Sequence, residues 1–89
     1  MKKEFEVFLI DKGYKQYTPS GNPSTVYDYM KRIDKVCEWE NITLQNLFEN
    51  IKIILPQYDL GGIKEDHGKK SHSAVISALR CFAEFTSVK

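Results

Sequence analysis

The chain has 89 residues and a mass of 10.3 kDa, with 13 Lys and Arg against 12 Asp and Glu and a formal net charge of +1. That length allows one small helical domain over residues 1–89 and leaves no room for a second, and 42% hydrophobic with 28% charged residues is a globular composition, not a disordered one. The near-neutral balance excludes a uniformly basic nucleic-acid binder, so any such site must come from local charge.

In chain order, Phe5, Phe8 and Leu9 recur at helical spacing, and Lys12-Gly13 closes that run, predicting a first helix over 3–12. Residues 13–22 are dense in turn formers and read as a loop. Asn22-Pro23 looks like a cap followed by a proline in the first turn, with Ser24 as the competing cap. Val26, Tyr29, Met30, Ile33, Val36 and Cys37 then mark one face of a long second helix ending near Glu40-Asn41. Thr43 caps a third helix with Leu44, Leu47, Phe48 and Ile51 inward. Pro56 predicts a break near Leu55, and Gly61-Gly62 the stop of that segment. Residues 63–70 read as a polar loop. Ser71 or Ser73 caps a last helix with Val75, Ala78, Leu79, Phe82 and Phe85 on its apolar stripe. No segment alternates in the manner of a strand, so the fold class is all-α, a single small bundle of four to five short helices.

Apolar runs such as 51–55, interrupted by Lys52, fall far below the ~20 residues of a membrane span, and the acidic N-terminus lacks a signal-peptide cleavage site. A cytoplasmic chain with no membrane contact is expected. Cys37 and Cys81 lie in helical apolar patterns without metal-ligand spacing and read as reduced core thiols, their pairing left open.

Candidate chemistry is sparse. Asp66, His67, Ser71, His72 and Ser73 supply the residue types of a hydrolase triad, but five polar residues around a helix start read as a cap and a solvated loop. His67 and His72 have no usual metal-pair spacing, and Gly61-Gly62 lacks the rest of a phosphate loop. No enzyme activity, metal or small-molecule cofactor is expected. Charge position says more. Segments 1–35, 36–66 and 67–89 carry +2, −4 and +3. Lys69-Lys70-Ser71-His72-Ser73 places cations and hydroxyls where a helix start already favours an anion, and Lys31, Arg32 and Lys35 form a second basic patch on the second helix. Both patches also suit ordinary solvated faces.

Three segments, taken together, carry a likeness: Phe5-x2-Phe8-Leu9-x3-Gly13-Tyr14, then Thr25-x3-Tyr29-x3-Ile33-x2-Val36, then Ser73-Ala74-Val75-Ile76-Ser77-Ala78-Leu79-Arg80-Cys81-Phe82-Ala83-Glu84-Phe85. In this order the chain resembles the N-terminal core-binding domain of tyrosine recombinases, the phage-integrase type, over nearly its whole length. The resemblance implies a SAM-like bundle that clamps duplex DNA through backbone contacts opposite a separate catalytic domain. Carried onto matching positions, it implies DNA contacts by Thr25, Lys31, Arg32, Lys69, Lys70, Ser71, His72 and Ser73, with Arg80 matching a recurrent arginine of that helix. The loops at 18–22 and 61–68 are longer than that pattern, and no recombinase catalytic domain fits in 89 residues. The chain therefore reads either as a part of a recombinase or as a small protein reusing the bundle. The expectation is a non-catalytic module that binds duplex DNA weakly and salt-sensitively. The alternative is a protein-interaction or self-association module, a homo-oligomer anchored by surface aromatics among Tyr14, Tyr17, Tyr27 and Trp39.

Overall fold

A computed structural model describes residues 1–88, apart from the side chains of Ser71 and His72. The first helix, α1, spans Lys2–Asp11 and buries Phe5 and Leu9. It stops as the sequence predicts. Gly13 takes φ +99°, and the Gly13 and Tyr14 amides donate back to the Ile10 and Leu9 carbonyls at 2.9 and 3.2 Å, a Schellman ending that an L side chain at position 13 would strain.

The second helix, α2, spans Thr25–Glu40, with Ser24 rather than Asn22 at the cap and Val26, Ile33 and Val36 buried. Asn41 ends it at φ 55°, a left-handed position that asparagine tolerates better than most residues. The third, α3, spans Leu44–Tyr58, and the Thr43 hydroxyl accepts the Asn46 amide at 3.1 Å, the cap read from the sequence.

The break predicted at Leu55 is absent. The helix runs through Pro56 to Tyr58, and its one non-helical residue is Asn50, at φ −115° and ψ 16°. There the Asn50 side chain donates to the Asn46 carbonyl at 2.9 Å. Pro56 is tolerated because Lys52, whose carbonyl it leaves unbonded, is exposed to water like Pro56 itself. Nor do Gly61 and Gly62 cap α3: Asp59 does, in extended conformation, and the glycines shape the turn that follows.

The predicted polar loop 63–70 is partly helical. A single turn, α4, spans Glu65–Gly68, and after Lys69 the last helix, α5, spans Lys70–Ser87. The cap is not a serine: Lys69 holds that position without a side-chain capping bond, and Ser73 sits inside the helix at φ 66°. That left-handed backbone at a serine costs about 1–2 kcal/mol. Ser73→Gly should therefore raise stability by about 1 kcal/mol, seen as a melt roughly 5 °C higher.

α5 is the centre of the bundle and packs against all four other helices. Val75, Ala78, Leu79, Phe82 and Phe85 are buried there as the spacing predicts, joined by Ile76. Phe5 meets Phe82 edge-on at 5.1 Å and Phe85 at 5.4 Å, and Phe48 meets Phe82 edge-on at 6.3 Å, so one aromatic cluster ties α1, α3 and α5. Cys37 and Cys81 are both free thiols, and burial pushes the Cys37 thiol up. The described residues contain no strand, and no helix among them is long and apolar enough to cross a membrane.

Candidate nucleic-acid interface

α2 presents charges of opposite sign on its two flanks. Asp34 and Glu38, with Cys37, Asn41, Ile42, Thr43 and Asn46, line a depression of about 510 Å³ whose two carboxylates are paired with Lys2 and Lys35. Lys31, Arg32, Lys35 and Trp39 follow one another along the other flank, at offsets 0, 1, 4 and 8, and there Lys70 and Val75 of α5 close a cleft of about 220 Å³. The two basic patches of the sequence, nearly forty residues apart, thus meet in one place.

The cations keep their charge available. Lys70 Nζ stands 5.4 Å from the centroid of the Trp39 ring, held by an aromatic face instead of a carboxylate. Among the described residues, neither Lys31 nor Lys70 makes an ion pair. Arg32 Nη2 meets Asp28 at 3.1 Å and Lys35 meets Glu38 at 3.6 Å, each within one turn of α2. Such pairs are worth about 0.3–0.5 kcal/mol and yield to a phosphate. Arg32 Nε is buried without a hydrogen-bond partner. Lys31 also borders a shallow cleft of about 320 Å³ with Pro23, Ser24, Tyr27 and Asp28, which carries the surface toward the start of α2.

The floor is positioned by a polar and aromatic cluster beneath it. Trp39 stacks on Tyr58 at 6.3 Å and 13°, and His67 of α4 packs on Trp39 at 4.6 Å. His67, read from sequence as a solvated loop residue, is a packing residue with Nδ1 buried and unpartnered. The Tyr58 hydroxyl donates to Glu40 Oε2 at 2.6 Å, and the Lys64 ammonium donates to the same oxygen. Burial pushes the Glu40 carboxyl up, but the Lys64 ammonium and the Tyr58 hydroxyl outweigh it and hold it below its ordinary value of 4.5. Burial, and then the Glu40 carboxylate, push the Tyr58 phenol up.

A carboxyl lowered on folding adds stability that is complete above its unfolded value and is lost as pH falls through the folded one. Glu40→Gln should thus cost about 1–2 kcal/mol at neutral pH, the worth of hydrogen bonds to a charged group. The gap between the two melts should close as pH drops below 4.5.

The sequence-predicted residues separate. Lys31, Arg32 and Lys70 come together. Lys69, next to Lys70 in the chain, lies instead in a cleft of about 190 Å³ with Ser73, Asp59, Glu65 and Arg80. There Lys69 pairs with Glu65 at 2.9 Å and Arg80 with Asp59 at 2.7 Å, so the local charge is balanced. Arg80 is a structural tie from α5 to the end of α3. Thr25, half-buried, opens α2 about 9 Å along the axis from Lys31. The side chains of Ser71 and His72 lie outside the described residues. Lys35 belongs to the cleft as the sequence patch implied, whereas Trp39 as its floor was missed; its place four residues after Lys35 and eight after Lys31 was the available signal. Comparison with family models, with curated proteins and with solved structures yields no match to the chain.

Proposed function

We propose that the chain is a non-catalytic helical module, acting in the cytoplasm, that binds the backbone of duplex DNA through Lys31, Arg32, Lys35 and Lys70. The observation that carries this reading is their convergence on one cleft whose lining contains no carboxylate. Phosphate contacts of this kind position a protein on DNA without reading its sequence. The resemblance to a SAM-like recombinase core-binding domain agrees with the reading in part: of the eight DNA contacts it implies, Lys31, Arg32 and Lys70 line this cleft. Lys69 and Ser73 leave the proposed contact set, since their cleft is charge-balanced.

The test is titration of a labelled duplex at rising salt. Four neutralised phosphates at roughly −0.9 each give a slope of log affinity against log salt of about −3 to −4. Absence of binding at low salt, or a slope near zero, would overturn the proposal.

Self-association is the second reading, favoured by one observation. Leu60 and Ile63 are 83% and 87% exposed on the turn after α3, and that turn is stiff: the Lys64 amide reaches the Gln57 carbonyl at 2.6 Å, and Arg80 holds Asp59. Of the four aromatics expected near the surface, Tyr17 is the exposed one. A salt-insensitive dimer in sedimentation, lost in Leu60→Asp and accompanied by no DNA shift, would favour this reading over the first.

A further inference from the structure

The cationic cleft has two kinds of wall. Lys31, Arg32, Lys35 and Lys70 supply charge, and the Trp39 ring, with buried Val75 behind the cleft, supplies an apolar wall. Contact with a phosphodiester backbone uses the first and has no need of the second. A half-buried indole beside four cations is the arrangement that takes an unstacked base, since every base has a π-face and each nucleotide a phosphate. Tyr58 and His67 pack on Trp39 without lining the cleft, so on the cleft side the group over the ring, among the described residues, is the Lys70 ammonium. A surface cation–π contact is worth only about 0.5–1 kcal/mol, so it yields to a stacking base. At about 220 Å³ the space lies below the ~300–1,000 Å³ of a drug-sized pocket, a size that suits one planar group.

Resting on the reading of this cleft as a DNA contact, we infer that it takes a single unpaired nucleotide of a DNA strand. The base lies on Trp39, and the phosphate sits among Lys31, Arg32 and Lys35. Lys70 leaves the ring and joins the phosphate.

Trp39 is the only tryptophan, so its fluorescence reports the site directly. The experiment adds oligothymidylate, a blunt duplex or thymidine monophosphate to the intact chain, reading Trp39 emission and, for the labelled strands, anisotropy. The single strand should quench Trp39 and the duplex should not. Trp39→Leu should weaken strand binding roughly tenfold, several times more than it weakens duplex binding, and Trp39→Phe should restore most of the loss. Binding of strand and duplex with no quenching, and with no effect of Trp39→Leu, would overturn the inference while leaving duplex binding intact. Binding of neither would overturn both. Saturation by the mononucleotide at the same concentration as the strand would overturn the assignment to a strand. Should Trp39→Leu fail to fold, the wild-type emission decides alone, and equal quenching by strand and duplex contradicts the inference.

Discussion

Gly68→Ala should melt at least about 15 °C below the parent protein, a loss of about 3 kcal/mol at roughly 5 °C per kcal/mol for a chain of this size. A Cβ built at Gly68 falls 1.9 Å from the Tyr58 carbonyl oxygen and 3.0 Å from the carbon that bears it. These are backbone atoms at the end of α3 and cannot swing aside. Tyr58 is 1% exposed, its ring stacks on Trp39 and its hydroxyl is bound to Glu40, so the strain cannot be passed outward cheaply. Either α4 lifts from α3 or the end of α3 shifts, and both movements disturb His67 and with it the floor of the cleft. Gly21→Ala is the matched control. Nothing lies within 4 Å of a Cβ there, and only the cost of its positive φ, about 1–2 kcal/mol, remains. A Gly68→Ala protein melting like the Gly21→Ala control would mean that α4 does not pack as described.

The second large effect concerns binding. Lys31→Glu combined with Lys70→Glu should lower duplex affinity at least tenfold at low salt, because two of four phosphate contacts become repulsive. The matched control is Lys52→Glu with Lys69→Glu, which changes net charge equally but alters an exposed position of α3 and the balanced second cleft. Affinity of the control, measured at the same salt, should fall several times less than that of the cleft variant, since neither of its two charges lines the cleft. The folding of the first variant should be nearly unchanged. Lys31 and Lys70 are exposed, and Lys70→Glu gives up one surface cation–π contact worth about 0.5–1 kcal/mol. Equal losses in the two variants would mean that total charge, and not the cleft, governs the interaction.

Much of the fold was legible because its determinants are local. The stripes Val26-Ile33-Val36 and Val75-Ala78-Leu79-Phe82-Phe85 place α2 and α5 by spacing alone, and Thr43 and Gly13 mark helix ends through bonds to near neighbours. What was misread depends on distant partners. Four residues of α4 are too few to show a period, and Gly68 is required by Tyr58, ten positions earlier, and by nothing in its own segment. Pro56 passes inside a helix because its surroundings happen to be wet, which no local rule states. The site divides the same way. Segment charges exposed both basic patches, but their meeting depends on α2 packing against α5, and that packing also sends Lys69 and Lys70, adjacent in the chain, into different clefts. Trp39 was legible as an aromatic near the surface. Its service as the cleft floor follows from Tyr58 and His67 behind it.

Backbone amide shifts in a titration of the isotope-labelled chain with duplex DNA test the central claim most directly. Shifts should saturate together and cluster at Lys31, Arg32, Lys35 and Lys70, the four cations that line one cleft. Shifts confined to Leu60, Ile63 and Lys69, or a spectrum left unchanged by DNA at low salt, would contradict it.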